Sequence, residues 1–261
     1  MLEIREISKT FNPGTPDARL ALDRVSLTVE TGDFITLIGA NGAGKSTLFN
    51  AINGSFTVDQ GRILLDGRDL TWVPAHKRSR VIGQLFQDPL RGSAPQMSIA
   101  ENLFLASGRG GWMSSMSRKD RDDFRDRLRE LGMGLEDRMN QPVGLLSGGQ
   151  RQALTLLMAT FSKPKLLLLD EHTAALDPGT AEKVLTLTRT IVAENNLTCM
   201  MVTHNMQSAL DLGNRTLMMD AGRIILDVRG AERSSLTVDD LLERFRQISG
   251  SRLNNDRMLL S

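Results

Sequence analysis

The chain has 261 residues, enough for one large domain or for a domain with a sizeable insertion. Its 32 basic and 31 acidic residues leave a formal net charge of +1, which removes any electrostatic reason to expect nucleic acid as the main partner. A single cysteine excludes an intrachain disulfide, and no apolar stretch reaches the length of a transmembrane helix.

From the N-terminus, Met1-Leu2-Glu3-Ile4-Arg5-Glu6-Ile7 alternates as a half-buried strand does and lacks the long apolar core of a signal peptide. Phe11 follows, then the turn-rich Asn12-Pro13-Gly14-Thr15-Pro16-Asp17. Val25, Leu27 and Val29 alternate again, and Arg62-Ile63-Leu64-Leu65 runs into an Asp66-Gly67 turn. Residues up to about 88 therefore predict an antiparallel β layer. Beside it, Phe34-Ile35-Thr36-Leu37-Ile38 is a short, mostly apolar run of the kind that forms a buried strand.

That run leads into Gly39-Ala40-Asn41-Gly42-Ala43-Gly44-Lys45-Ser46, with Thr47 next. The spacing fits the phosphate-cradling P-loop. Gly39, Gly42 and Gly44 let the backbone turn and approach phosphate without a Cβ in the way. Successive backbone N–H groups from Asn41 through Thr47 then face anionic oxygens, helped by the N-terminus of a helix over residues 46–52. Lys45 is expected to reach the β- and γ-phosphates, and the Ser46 hydroxyl to ligate Mg²⁺. A nucleotide and Mg²⁺ are thus expected at this loop.

From about 89 to 150 the chain turns helical and polar. Ser107-Gly108-Arg109-Gly110-Gly111-Trp112 reads as a mobile loop. Residues 118–131 are charge-dense, with Phe124, Leu128 and Leu131 at helical spacing, and predict a surface helix. Acidic residues interleave with its arginines, which argues against a membrane or nucleic-acid surface. Leu146-Ser147-Gly148-Gly149-Gln150 comes next and leads into a helix expected over 151–161, starting near these glycines. Leu166-Leu167-Leu168-Leu169 then suits a buried parallel strand, delivering Asp170 and Glu171 at its C-terminal end, where ligands bind in open α/β sheets. Asp170 matches the aspartate that supports Mg²⁺, and Glu171 is positioned to polarise the attacking water. Cys199 sits in the apolar Thr198-Cys199-Met200-Met201-Val202, a buried strand. Ala221-Gly222 turns into a further strand, and Thr237 caps a last helix carrying Leu241, Leu242 and Phe245. Residues 249–261 are a polar tail.

The LSGGQ sequence at 146–150, downstream of a P-loop and ahead of the Asp170-Glu171 pair, resembles the signature of ATP-binding cassette (ABC) ATPases. The resemblance covers nearly the whole chain in the right order. By it, Gln87 in Phe86-Gln87-Asp88-Pro89 corresponds to the Q-loop glutamine, catalytic and metal-supporting. His204 in Val202-Thr203-His204-Asn205 corresponds to the catalytic switch histidine, and Asp177 to the D-loop. Phe11 lies where the family stacks an aromatic on adenine; its competing reading is a core residue. There is no tyrosine to take that role, and the 12–17 insertion is placed to shift the ring. His172 stands where many relatives carry proline, and it and His76 read as structural.

The resemblance implies an α/β fold with a P-loop NTPase core and mostly parallel sheet, an N-terminal antiparallel β layer and an inserted α-helical subdomain. One domain is expected over 1–248, with the insertion at about 89–150. It further implies that Ser147, Gly148, Gly149, Gln150 and Asp177 contact ATP held by a second copy of the chain, in a head-to-tail dimer. The expected role is the cytoplasmic ATPase of a transporter, with separate transmembrane permease subunits at the inner membrane face as its partners. An importer also implies an extracytoplasmic solute-binding protein, and a resemblance around residues 171–177 points to bacterial uptake of a small organic solute. Competing readings are a soluble ABC ATPase acting on DNA or ribosomes, and the ATPase of an exporter.

Overall fold

A computed structural model describes residues 1–109 and 115–249, so Trp112 and most of the C-terminal tail lie outside the described residues. In chain order the elements are β1 (Leu2–Phe11), β2 (Arg19–Val29), β3 (Phe34–Ile38), α1 (Lys45–Asn53), β4 (Gln60–Leu65), β5 (Arg68–Asp69), α2 (Ala75–Arg78) and β6 (Ile82–Leu85). Short 3₁₀ turns at Pro89–Gly92 and Val143–Leu145 bracket α3 (Ile99–Ala106) and α4 (Arg118–Glu130). Then come α5 (Gly148–Thr160), β7 (Leu166–Asp170), α6 (Pro178–Glu194), β8 (Thr198–Val202), α7 (Met206–Asp211), β9 (Arg215–Asp220), β10 (Arg223–Arg229), α8 (Gly230–Ser234) and α9 (Val238–Ser249). The chain divides into two compact units, one comprising Met1–Ser79 with the chain from Leu197 onward, the other Arg80–Asn196.

In the first unit, alternation and continuity separate two kinds of strand. β1 and β2 bury every second residue over much of their length and pair antiparallel, with β4 on the other side of β1 and β5 beyond it. The 12–17 insertion is the connection of this β1–β2 hairpin, and Phe11 faces Arg19 across it. β3 and β8, apolar throughout apart from Thr36 and Thr198, are buried along their whole length. β3 lies parallel to both β8 and β9, and β10 closes antiparallel on β9. Cys199 lies in β8 with no exposure, and burial pushes its thiol far above the ordinary range. α9 begins at Thr237, whose hydroxyl accepts from the Asp240 N–H, and it buries Leu241, Leu242 and Phe245 against Ile38, Met206 and Met218.

The second unit carries one parallel pair, β6 with β7, in register Ile82↔Leu166 through Leu85↔Leu169. Between Pro89 and Ser147 the named elements are all helical. Capping boxes start three of its helices: Ser98 with Glu101, Ser117 with Asp120, Ser147 with Gln150. α4 is amphipathic in the way its spacing predicts. Phe124 and Leu128 are fully buried, and Phe124 meets Phe161 edge-on at 5.6 Å, while pairs such as Arg129–Asp126 lie on the exposed face.

Candidate functional site

The P-loop leaves β3 and opens α1, and its glycines are held where no side chain fits. At Gly39, φ is +148° and an added Cβ would collide with the Met219 carbonyl oxygen. At Gly44, the residue before α1, φ is +105° and a Cβ would sit 2.7 Å from the Ala21 carbonyl oxygen. The loop is tied to the turn between β9 and β10 by the Gly222 N–H donating to the Ala43 carbonyl at 2.9 Å. Asn41, Gly42 and Ser46 are exposed, Thr47 is half-buried, and Ala43, Gly44 and Lys45 are buried. The Lys45 ammonium donates to the Gly39 and Ala40 carbonyls at 2.7 and 3.1 Å, so its charge is folded into the loop's concavity. No side chain caps the first turn of α1 and no acidic residue lies in it, which suits an anion.

The other end of α1 is finished by a buried cation. Arg78 donates from Nη1 to the Ala51 and Ile52 carbonyls at 2.8 and 2.7 Å, from Nε to Val73 at 2.7 Å and from Nη2 to Thr71 at 3.1 Å. A positive charge at a helix C-terminus complements both its orphan carbonyls and its dipole.

His204 leaves β8 beside the P-loop, because β3 and β8 are parallel and pair Leu37 with Val202. Its backbone position is fixed on both sides. The Thr203 N–H donates to the Leu37 carbonyl at 3.2 Å, and Asn205 caps α7 by accepting from the Ser208 N–H at 2.8 Å. Arg233 holds the far end of α7 by donating to the Ala209 and Leu210 carbonyls, each at 2.9 Å.

Phe11 ends β1 with 37% of its surface exposed, packed edge-on against Phe56 at 5.4 Å under the Lys9 ammonium. Opposite it, Arg19 donates from Nη2 to the Gly42 carbonyl at 2.9 Å. Sequence reasoning did not single out Arg19. Its approach to the loop depends on the hairpin register, for which the sequence carries no separate signal.

In the second unit, β7 delivers Asp170 and Glu171 at its C-terminal end, both half-buried. Glu171 adopts φ +45°, unusual for a residue with a side chain, and its carbonyl accepts from the Ala174 N–H at 3.0 Å. Next to it His172 is buried and bonds through Nε2 to the Thr188 hydroxyl at 3.1 Å. That hydroxyl donates its proton to the Val184 carbonyl at 2.8 Å, so His172 is the donor of the pair and carries its proton on Nε2. Burial draws the His172 pKa down to about 4. Asp177 caps α6 by accepting from the Thr180 N–H at 3.0 Å, and hydrogen bonds from Thr180 hold its carboxyl below the usual range. Gln87 is exposed in the loop after β6.

The signature residues open α5, which begins at Gly148. Ser147 is its N-cap, accepting from the Gln150 N–H at 3.3 Å while its own N–H donates to Gln150 Oε1 at 3.2 Å. Gly149 has a reason of its own within the chain, since a Cβ there would collide with the Thr180 methyl on α6. Beside the Gln87 loop, a groove of about 450 Å³ is lined by Phe86, Pro89, Leu105, Ala106, Met158 and Ala159.

The candidate metal ligands are oxygen donors: the Ser46 hydroxyl, the Asp170 carboxylate and the Gln87 amide. Among the described residues no cluster of three His, Cys, Asp or Glu side chains could cage a metal. Oxygen donors of this kind fit Mg²⁺, which takes hard oxygen ligands, keeps several waters and is held largely through substrate phosphates.

The ABC transporter family model matches residues 22–174. The chain is 40% identical over 247 residues to a tyrosine transport ATP-binding protein of Clostridioides difficile (strain R20291), covering 94% of this chain and 98% of that protein. This chain belongs to the ABC transporter family. It is also 37% identical over 230 residues to a methionine import ATP-binding protein of Corynebacterium efficiens, covering 86% of this chain and 61% of that longer protein. Among solved structures, it resembles a dimeric ATP-binding cassette in a post-hydrolysis state bound to ADP and Pi, with a TM-score of 0.76, 26% identity and coverage of 88% and 98%. The ADP conformation of another transporter cassette gives a TM-score of 0.77 at 27% identity, covering 94% and 98%. The architecture is accordingly the α/β P-loop fold of an ABC ATPase. Among the described residues of this family member, no helix is long and apolar enough to cross a membrane.

Proposed function

We propose that the chain is the ATP-hydrolysing motor subunit of an importer for a small organic solute of the amino-acid class. It would work at the cytoplasmic face of the cell membrane on separate transmembrane permease subunits, with an extracytoplasmic solute-binding protein delivering the solute. The observation that carries this is the P-loop itself, where Gly39 and Gly44 admit no side chain and Lys45 is held inside the loop. The names of the tyrosine and methionine relatives support the solute class.

In this reading the phosphate chain of ATP takes the backbone N–H groups of residues 41–47, and Lys45 exchanges loop carbonyls for the β- and γ-phosphates. Ser46, Asp170 and Gln87 would hold Mg²⁺, which when bound would supply positive charge against the transferred phosphoryl group. Glu171 orients and polarises the attacking water, His204 acts beside the γ-phosphate, and Phe11 stacks on adenine. A second copy would present Ser147, Gly148, Gly149, Gln150 and Asp177 to the same nucleotide, so that two ATPs close a head-to-tail dimer and hydrolysis reopens it. The apolar groove beside Gln87 is the face on which a permease segment would seat, since it places partner contact next to a residue that senses the nucleotide.

Glu171→Gln tests the mechanism, because it keeps size and hydrogen bonding but removes the carboxylate. ATP binding should persist, hydrolysis should fall by roughly 10²-fold or more, and closed dimers should accumulate with ATP and Mg²⁺ on size-exclusion chromatography. Wild-type turnover in this variant would move the general-base role elsewhere.

A further inference from the structure

We propose that Arg19 is a second cationic ligand for the phosphate chain of the bound nucleotide, working beside Lys45. The proposal rests on the reading of residues 39–47 as the ATP site. Arg19 begins β2 and is exposed, yet its guanidinium reaches across to the P-loop and donates to the Gly42 carbonyl at 2.9 Å. The approach is close enough that a Cβ on Gly42 would lie 2.6 Å from Nη2. Among the described residues no carboxylate forms an ion pair with Arg19, whose guanidinium bonds the neutral Gly42 carbonyl.

Two cations thus lie on consecutive parts of one loop in the same manner. Lys45 occupies the Gly39 and Ala40 carbonyls from within, and Arg19 occupies the Gly42 carbonyl from the β1–β2 hairpin. For each, a neutral carbonyl is a weaker partner than a phosphate oxygen, because charge-assisted bonds are about twice as strong as those to neutral groups. A guanidinium has five donors in a planar fork, and the Gly42 bond uses one of them. The remaining edge matches the two-oxygen geometry of a phosphate. The register adds direction. Arg19 is the cross-strand partner of Phe11, so the aromatic proposed for adenine and the cation proposed for phosphate leave one rung of one sheet. A nucleotide spanning from that rung to the loop would pass under the guanidinium. Pairing of Thr10 with Leu20 and Phe11 with Arg19 fixes the backbone of Arg19 at the end of the hairpin, which narrows the space its long side chain must search.

Equilibrium binding of ATP, ADP and adenosine to the full chain at low and high salt tests this, using wild type, Arg19→Gln, Arg19→Lys and Lys45→Ala. Because residue 19 is exposed, thermal melts of the Arg19 variants should match wild type. Arg19→Gln should weaken ATP and ADP roughly tenfold, leave adenosine unchanged, and lose less at high salt, where screening removes part of the contribution. Arg19→Lys should recover part of the loss. ATP affinity within twofold of wild type in Arg19→Gln, with Lys45→Ala still unable to bind, would overturn the role of Arg19 and leave the P-loop reading intact. An equal loss for adenosine would also overturn it, since the effect would then act through the hairpin and Phe11. Normal ATP binding by Lys45→Ala would instead overturn the P-loop reading, and the role of Arg19 with it.

Discussion

Replacing Arg78 by methionine should destabilise the chain more than any surface charge change, although Arg78 touches no other charged side chain through the bonds that hold it. Its guanidinium is 1% exposed and serves four carbonyls, two at the end of α1 and two at Thr71 and Val73. A hydrogen bond involving a charged group contributes about 1.5–3 kcal/mol net, so four would total about 6–12 kcal/mol taken alone. Desolvating the cation opposes this, and burial draws the Arg78 pKa below its ordinary value for that reason. The balance should leave a loss of about 3–5 kcal/mol, the scale for breaking a buried charged network. For a chain of this size that corresponds to a fall in Tm of about 6–20 °C. Arg78→Lys should recover less than half, because one ammonium cannot span carbonyls that a planar fork reaches from three nitrogens. Urea unfolding followed by far-UV circular dichroism, with thermal melts, gives the numbers. A loss below about 1 kcal/mol for Arg78→Met would mean that water serves these carbonyls as well as the guanidinium, and would refute the reasoning.

Ser147→Arg should leave ATP binding by the single chain intact but block dimer closure and hydrolysis; since it also removes the N-cap of α5, at about 1 kcal/mol, Ser147→Gly is the control that spares most of the cap. Normal hydrolysis by Ser147→Arg in the assembled transporter would rule out the proposed contact in trans. His172→Gln should flatten acid unfolding. In wild type the unfolded histidine takes a proton near 6.5 and the folded one only near 4, so stability present above pH 6.5 is lost as pH falls through that window, by about 3 kcal/mol in total. An unchanged difference between wild type and variant from pH 7 to 4 would show that His172 titrates normally. Gly39→Ala, whose Cβ meets the Met219 carbonyl, should cost about 1–3 kcal/mol and abolish ATP binding; near-normal affinity by equilibrium titration would contradict the fit of the loop.

Much of the fold was legible because it depends on local pattern. Phe34-Ile35-Thr36-Leu37-Ile38 gave the bounds of β3 without error, since a short apolar run ending at glycine has few other uses. The amphipathic stripe of α4 and the Thr237 cap of α9 were equally plain. What stayed hidden depends on contacts distant in sequence. The sequence puts the start of α5 near its glycines without fixing the residue, because Gly148 and Gly149 are poor helix formers; the reciprocal Ser147–Gln150 bonds set it at Gly148. Arg78 sits in the basic stretch His76-Lys77-Arg78, which carries no motif, and only the position of α1 shows it buried. The two halves of the candidate site differ in the same way. Lys45 and Glu171 announce themselves by motif, while Arg19 acquires meaning only through the β1–β2 register.

Cys199 has a consequence for how this chain meets its chemical surroundings. It is the sole sulfhydryl of the sequence, lies sealed in β8, and is held in the protonated form that neither alkylating agents nor disulfides attack. Turnover should therefore be indifferent to maleimides, glutathione ratio and peroxide acting on thiols. A cysteine introduced at any exposed position would be the one reactive thiol in the folded chain. Spin labels, fluorophores and crosslinkers could then be directed to a chosen residue with the native sequence otherwise untouched.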